Sequence, residues 1–469
     1  MVENSALSTD WVIHQVPPDI WRHVFDLIHP KLHPFMYKDV NDIIRLSHVC
    51  SSWRDIVTNA PELWTCIDVI IDLQIPYYVK PGVELLSLTL RNARDMPLIM
   101  SLLVLEAGSS EHLKFDSIVK STKLFFQAAK RAKHLELALS EDFPFEQVEA
   151  EIQAVPLLQS LSINLPYSER GIVENLSNTW KDSPFLRSLE LQGSGLHLQS
   201  IDEFQTLHFP FRQLTSLNIG CHLHIDEFCR LVSLTPFLTS LTSSAVRDPE
   251  DSGDVEPVEL LQLKELTLQG GYRLRISPEP TTRLLPYIVS PSLMALRLVD
   301  DYAWSSRSFN TFLQKSSPRL EHLVLDIANL DEDKKIDCLR SLPFLRTLNF
   351  RGAAIISPIR SVFCAAMKEW DASTREFVLC PRLEKLSIDY SDLNDTTSTI
   401  FPDMLEDRWQ RSLAAGQMFK LELTTHRDLD LDGGPELASP ISRILILKES
   451  GMDVQVKLDE RGVRSSDWW

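Results

Sequence analysis

The chain has 469 residues, of which 44% are hydrophobic and 24% are charged, a composition typical of globular rather than disordered proteins. Its 65 acidic residues outnumber its 47 basic residues, which gives a net charge of −18 at pH 7. Because so acidic a chain repels phosphate, the composition argues against general binding of DNA or RNA.

The start of the chain and its cysteines predict an intracellular protein. The first residues lack a basic start followed by an apolar stretch, so we expect no secretory signal. The longest apolar run, from Leu98 to Leu105, is too short to cross a bilayer. The seven scattered cysteines are expected to be reduced thiols. We therefore expect the protein in the cytoplasm, the nucleus or both, with no membrane partner.

Residues 12–65 predict a small helical module. A first helix is predicted to begin near Pro18, because apolar residues recur at helical spacing on one face. Those residues are Ile20, Val24, Leu27 and Ile28. After a break at His29 and Pro30, an apolar stripe from Ile43 to Val57 predicts one or two further helices. So small a bundle usually needs a partner or a docked neighbour to be stable.

The order and spacing of these residues resemble the F-box motif. The matching pieces are Pro17–Ile20, Val24–Phe25, Leu46–Cys50, Trp53–Arg54 and Leu63–Trp64. Val16 stands where the family most often has Leu, and the loop from Pro30 to Asp39 is longer than usual, as in many fungal members. The resemblance implies docking on the Skp-type adaptor of Skp–cullin–F-box (SCF) ubiquitin ligases, and through it on a cullin. The positions that it implies to face the adaptor or to pack in the bundle are Pro17, Ile20, Val24, Leu46, Val49, Cys50 and Trp53.

The next region, residues 66–427, carries a repeat. The template L-x-x-L-x-L recurs, and seven successive spacings between positions 132 and 320 lie between 24 and 30 residues. The opening residues are Leu85, Ala132, Leu158, Leu186, Leu214, Leu238, Leu263, Leu293, Leu320, Leu345, Leu383 and Met418. Each L-x-L predicts a short strand with its apolar residues on one face. The pairs expected to point inward include Leu189/Leu191, Leu217/Ile219, Leu266/Leu268 and Leu323/Leu325. Between strands, helical spacing predicts helices over Asp226 to Leu234 and Ser308 to Gln314.

This repeat resembles the leucine-rich-repeat family in a long-repeat form. The resemblance implies an α/β fold, in which about 12 repeats stack into a solenoid with parallel inner strands and outer helices. An acidic insertion is expected at 247–259, and residues 428–469 are expected to form a polar turn, the last strand or strands and a tail. An ordinary α/β domain with Leu-rich strands is the alternative.

The loops that follow the strands predict a substrate-binding edge, since corresponding loops of stacked repeats lie side by side. Aromatic and Arg residues, the types enriched in binding hot spots, gather in four of these loops. The candidate residues are Tyr272, Arg273, Asp301, Tyr302, Trp304, Arg351 and Tyr390. In one alternative, Tyr302 and Trp304 fold inward and cover the core. In the other, substrate binds the inner strand positions Glu190, Asn218, Arg297 and Asn349.

The sequence gives little support for catalysis. No common nucleophile, zinc-protease or phosphate-loop motif occurs. The acidic segment from Asp428 to Gly433 lacks a calcium-loop ending, and the cluster between Cys221 and Cys229 lacks zinc spacing. We therefore expect no metal, no cofactor and no enzyme.

The predicted function is that of a non-catalytic substrate-recognition subunit of an SCF-type E3 ubiquitin ligase, with an unknown protein substrate. The first alternative is a protein-interaction scaffold whose N-terminal helices only cap the solenoid, because a naked solenoid end exposes its core. The second alternative is an unrecognised enzyme.

Overall fold

A computed structural model describes most of the chain and divides it into two compact units, Met1–Cys221 and His222–Trp469. The described residues are 16–28, 40–73, 78–105, 116–140, 143, 145–164, 170–193, 207–220, 223–244, 246–247, 255–270, 281–301, 303–327, 330–350, 359–389, 400–425 and 439–458. Each unit is described by itself below.

The first unit begins with the predicted helical module. Its elements are α1 (Pro18–Ile28), α2 (Val40–Ser47), α3 (Ser51–Thr58) and a 3-10 turn at Pro61–Trp64. Helix α3 begins after Cys50, whose Sγ accepts a hydrogen bond from the Trp53 backbone N–H at 3.4 Å. This bond satisfies one of the free N–H groups at the helix start.

A mainly parallel sheet follows the module. Its strands are β1 (Cys66–Asp72), β2 (Tyr78–Lys80), β3 (Leu98–Leu105), β4 (Ala132–Ala138), β5 (Ser160–Asn164), β6 (Ser188–Gln192) and β7 (Ser216–Gly220). They lie in the order β2-β1-β3-β4-β5-β6-β7, and among these described strands only β2 runs antiparallel. The connections contain α4 (Val83–Asn92), α5 (Asp116–Ala129), α6 (Arg170–Trp180) and 3-10 turns at Phe145–Gln147, Glu149–Glu151 and Phe211–Gln213.

Alternation along the strands of this first unit gives its sheet two different faces. One face carries the Leu and Ile side chains of the L-x-L pairs, which are buried. The other, which we call the open face, carries the residues between them. The register aligns one such residue from each of the six parallel strands in the row Asp68–Ser101–Glu136–Ser162–Glu190–Asn218.

The second unit repeats this design. Its main strands are β9 (Ser240–Ser244), β12 (Glu265–Gln269), β14 (Ala295–Asp301), β15 (His322–Ile327), β16 (Thr347–Phe350), β19 (Lys385–Asp389), β20 (Lys420–Thr425) and β21 (Asp453–Leu458). They lie in that order and are all parallel. The sequence order and parallel pairing are those that the Leu spacing predicts.

Helices and short strand pairs fill the connections of the second unit. The helices are α7 (Ile225–Ser233), α8 (Ser306–Ser316), α9 (Glu332–Arg340), α10 (Ser361–Lys368), α11 (Ile400–Ala414) and α12 (Ser439–Glu449), with a 3-10 turn at Thr281–Tyr287. The short pairs are β8 (Leu223–His224) with β10 (Val246–Arg247), β11 (Val258–Glu259) with β13 (Ile288–Val289), and β17 (Trp370–Asp371) with β18 (Glu376–Phe377). Helices α7 and α8 confirm the two helices predicted between strands.

Leu85, the first opening residue of the repeat template, lies in a helix rather than a strand, so that prediction was wrong. In and just after α4, Leu86, Thr89 and Ala93 are buried at helical spacing. Alternating burial of Ile67, Val69 and Ile71 instead makes β1 the first strand. The inward pairs predicted for the later repeats are buried, which confirms them.

Two predicted segments are described only in part. Of the acidic insertion, residues 248–254 lie outside the described residues, and so do residues 428–438 and 459–469 of the C-terminal region. The C-terminal region contains α12 and a final strand, β21. Within the described ranges, no helix combines the length and the apolar character needed to cross a membrane.

A buried arginine fixes the packing of α11 in the second unit. The Arg408 guanidinium donates to the backbone oxygens of Met367, at 2.8 Å, and Leu379. It also lies over the Phe377 ring, 4.3 Å from the centroid. Burial lowers the pKa of Arg408 to about 10, so the side chain is charged at neutral pH. Among the described residues, backbone dipoles and the Phe377 ring stabilise this charge, and no carboxylate forms an ion pair with it.

Candidate functional site

Aromatic side chains hold the N-terminal module together. The Trp53 ring on α3 lies 4.9 Å from Trp21 and 4.8 Å from Phe25, both on α1. Phe25 is completely buried. The Trp64 indole Nε1 donates to the Val57 backbone oxygen at 2.9 Å, so the 3-10 turn is tied to α3. Rings of this size supply much of the apolar contact in so small a bundle.

Other apolar side chains of the module are left exposed. Ile20 is 53% exposed, Leu27 67% and Val49 57%. Ile20 and Leu27 lie seven residues apart on α1, which places them on the same side of that helix. Val49 lies between α2 and α3, and Pro17, just before α1, is also exposed. Apolar surface of this kind commonly marks a protein-binding site.

The seven predicted adaptor positions therefore fall into two groups. Pro17, Ile20 and Val49 are exposed and accessible to a partner. Val24, Leu46, Cys50 and Trp53 are half-buried. Within the second group, Cys50 caps α3 and Trp53 joins the aromatic cluster, so the structure gives both an internal role.

The apolar residues of α1 differ in exposure. Phe25 is the residue that this helix buries completely, while Ile20 and Leu27 point to solvent. Trp21 and Phe25 on α1 both contact Trp53, so the aromatic side of α1 faces α3. Leu27 was not among the candidate partner contacts, although its spacing of seven residues from Ile20 could have identified it.

Comparison with known families identifies the module. Residues 13–70 match the F-box-like family. The chain carries an F-box-like domain. F-box domains generally bind Skp-type adaptors. No curated protein matches the chain.

The F-box-like domain includes all of the module described above. The matched range contains α1, α2, α3 and the 3-10 turn and reaches into β1. The exposed residues Ile20, Leu27 and Val49 therefore lie in a domain whose general property is to bind another protein.

The predicted loop-edge site is described at two of its positions. Asp301 is buried, and its carboxylate accepts hydrogen bonds from Thr281 N at 2.8 Å, Thr281 Oγ1 at 2.6 Å and Ala303 N at 3.3 Å. Trp304 is half-buried, donates through Nε1 to Ser306 Oγ at 3.0 Å, and packs 5.0 Å from the Phe309 ring. Both side chains thus help to shape the loop that precedes α8.

The remaining loop-edge candidates lie outside the described residues. They are Tyr272, Arg273, Tyr302, Arg351 and Tyr390. Their joint role stays a prediction.

The described thiols of the second unit are poor nucleophiles. Burial raises the pKa of Cys229, Cys364 and Cys380 to about 12 in each case, and also raises the pKa of Cys338. Such thiols stay protonated at neutral pH. Among the described residues, no group of three or more His, Cys, Asp or Glu side chains is placed to hold a metal ion.

Proposed function

We propose that this protein is the non-catalytic substrate-recognition subunit of an SCF-type E3 ubiquitin ligase, of the fungal F-box/leucine-rich-repeat type. The observation that carries the proposal is the F-box-like match over residues 13–70, which includes the exposed apolar residues Ile20, Leu27 and Val49. A Skp-type adaptor covers this surface, and the adaptor in turn contacts a cullin in the cytoplasm or nucleus.

The remainder of the chain is proposed to be a leucine-rich-repeat solenoid that captures the substrate. Parallel strands in sequence order within each unit, with the L-x-L pairs such as Leu189/Leu191 and Leu266/Leu268 on the buried face, support this assignment. The protein itself forms no covalent bond. By holding the substrate in one assembly with the ubiquitin-charged enzyme, it raises the effective concentration of substrate lysines near the thioester.

A second candidate function is that of a scaffold in which the module only caps the sheet. The buried Leu63 and the bond from Trp64 to Val57 favour it, because they tie the turn before β1 to the helices. A cap needs no partner, so adaptor binding separates the two functions.

The test is co-purification of the full chain with a Skp-type adaptor. The substitution Ile20→Asp places a charge in an apolar contact, and we expect it to weaken adaptor binding by about 100-fold or more. Ile446→Asp on α12 is the matched control, since Ile446 is 58% exposed and lies outside the F-box-like domain. It should bind as the wild type does. Undiminished adaptor binding by a folded Ile20→Asp variant would contradict the proposal.

A further inference from the structure

The edge of the second unit where its strands begin carries three stacked side chains, which we call the arginine stack. It consists of Arg319, Phe344 and Arg382, which precede β15, β16 and β19. The Arg319 guanidinium lies 4.9 Å from the centroid of the Phe344 ring, and the Arg382 guanidinium lies 5.1 Å from it. One cation from each neighbouring repeat therefore contacts the ring, and the two cations are no more than about 10 Å apart.

The repeat sequence places these side chains in line. Each occupies the middle of a Pro-x-Leu segment, namely Pro318–Leu320, Pro343–Leu345 and Pro381–Leu383. The Leu residues of these segments are buried, so the side chain before each of them points away from the core. Because the three strands that follow are neighbours in one parallel sheet, the strand spacing of about 4.8 Å also sets the spacing of the stack.

The middle residue of this segment is exposed in other repeats too. Phe185 and Phe237 occupy it, and each is 52% exposed. Phe344 remains 37% exposed although two arginines contact it. Aromatic and Arg side chains are the types enriched in binding hot spots, so the stack combines an apolar surface with two charged donors.

Two carboxylates lie beside the stack, and a third arginine pairs with them. Glu384 Oε1 accepts hydrogen bonds from Arg346 Nε at 2.9 Å and from Arg346 Nη2 at 2.7 Å. Glu321 lies 3.9 Å from Arg346 Nη1 and 3.7 Å from Arg319 Nε, which is beyond hydrogen-bond distance. Three arginines against two glutamates leave this edge with one excess positive charge, in a chain whose net charge is −18.

The excess charge lies on the stack itself. Within the described part of the chain, Arg382 forms no ion pair and no hydrogen bond through its side chain. Contact with the Phe344 ring stabilises and orients a guanidinium, but it does not neutralise the charge. The planar donor groups of an arginine can hold a carboxylate through two parallel hydrogen bonds. Arg382, and Arg319 with its one distant acid, are therefore suited to bind carboxylates from outside the chain.

We propose that the arginine stack binds an acidic segment of a partner protein, with one carboxylate at each guanidinium and an apolar side chain against Phe344. The inference goes beyond the ligase function, because the stack lies outside the F-box-like residues 13–70. Charge complementarity selects this occupant. The chain as a whole repels acidic molecules, so local cations decide where a short acidic segment binds, while a nucleic acid brings many more negative charges than the stack can pair.

The order of groups in the stack predicts a simple sequence in the partner. In an extended segment, alternate side chains point to the same side. The sequence Glu-x-Leu-x-Glu therefore presents an acid, an apolar group and an acid in the order of the arginine, the ring and the second arginine. Flexible Glu and Arg side chains can adjust the distance between the two charge pairs.

The test uses a fluorescent peptide with the core Glu-Ser-Leu-Ser-Glu and the full wild-type chain. Fluorescence anisotropy should report binding that weakens as salt is raised from about 50 to about 300 mM. The double variant Arg319→Gln/Arg382→Gln should bind the peptide at least about tenfold more weakly. Arg319→Lys/Arg382→Lys keeps both charges but loses the planar donor pairs, and it should bind about threefold more weakly or worse.

The matched control is Arg307→Gln/Lys334→Gln, which removes two positive charges at exposed positions in the first turns of α8 and α9. It should bind the peptide as the wild type does. Equal peptide affinity in the wild type and Arg319→Gln/Arg382→Gln would overturn the proposal. Equal losses in the two Gln double variants would overturn it as well, since binding would then follow net charge alone.

Two further measurements separate the site from folding and from other ligands. The denaturation midpoint and adaptor co-purification of Arg319→Gln/Arg382→Gln should match the wild type, because exposed cation–π contacts each contribute only about 0.5–1 kcal/mol. Peptide binding lost with the midpoint unchanged supports the site. A single-stranded oligonucleotide that binds the stack more tightly than the peptide would overturn the proposal, and so would absence of peptide binding by the wild type, whether or not the adaptor binds.

Discussion

The F-box-like module leaves some of its apolar residues exposed, whereas the strands that follow it bury theirs. In the sheet, strand residues such as Leu189, Leu217 and Leu266 are almost completely buried by the chain itself. In the module, Ile20 and Leu27 repeat at helical spacing and nevertheless face solvent. A periodic apolar pattern therefore identifies a face that needs to be covered, but it does not say whether the chain or a partner covers it.

The two units also differ in the charges that surround the acidic residues between the buried Leu positions of their strands. Glu422 is held between Lys385 and Lys457, while Glu136 lies near the acids Glu190 and Asp68. The first arrangement pairs the acid with two lysines. In the second, burial and the neighbouring acids raise the pKa of Glu136.

The largest expected effect on stability comes from removing a buried contact inside the second unit, away from the F-box-like module. Arg408→Ala removes a buried cation and leaves the carbonyls of Met367 and Leu379 without a donor. We expect the free energy of unfolding of the second unit to fall by about 3–5 kcal/mol. Chemical denaturation measures it, and adaptor binding should be unchanged.

Arg411→Ala is the matched control on the same helix. The Arg411 guanidinium also lies over an aromatic ring, 4.8 Å from the Trp370 centroid, but Arg411 is exposed. We expect a loss of about 0.5 kcal/mol. Equal losses for the two variants would contradict the role assigned to the buried hydrogen bonds of Arg408.

A smaller effect on stability is expected at Glu136, on the open face of the first unit. Because folding raises the pKa of Glu136 from 4.5 to about 7, the folded chain holds a proton that the unfolded chain has released between those values. Stability therefore falls as pH rises through this window. Glu136→Gln should stabilise the chain by about 1–2 kcal/mol at pH 8, after allowance for partial exposure, and by little at pH 4.5.

Thermal denaturation of the wild type and Glu136→Gln at several pH values checks this expectation. The groups facing Glu136 on its own and neighbouring strands include His134, Asp68 and Glu190, so the profile reports a coupled set of charges. Glu256→Gln, which removes one carboxylate at an exposed position, is the charge-matched control. A stabilisation that is the same at pH 4.5 and pH 8 would argue against a raised pKa for Glu136.

Much of the fold follows from the sequence, because a fixed Leu spacing and alternating strand burial leave few arrangements open. The parallel strands and the pairs Leu189/Leu191 and Leu266/Leu268 follow in this way. Leu85 shows the limit, since a short leucine-rich segment fits both a strand template and the helical spacing of α4.

The sites are less predictable because they depend on neighbours distant in sequence. The F-box-like residues could be found from motif order, but burial of Phe25 rather than Ile20 depends on Trp53 of another helix. The environment of Arg408 depends on Phe377, contributed by a short strand pair. The alignment of Glu136 with Glu190 across β5 appears only from the strand register.

The most direct test of the central claim, that the module docks the adaptor while the sheet remains free for substrate, is hydrogen–deuterium exchange of the full chain with and without a Skp-type adaptor. Bound adaptor covers backbone and suppresses local opening, so exchange slows where contact is made. We predict slower exchange in α1 and from α2 through the start of α3, around Ile20, Leu27 and Val49, with strands β4 to β7 unchanged. Protection of those strands with the module unchanged, or no protection anywhere, would contradict the account.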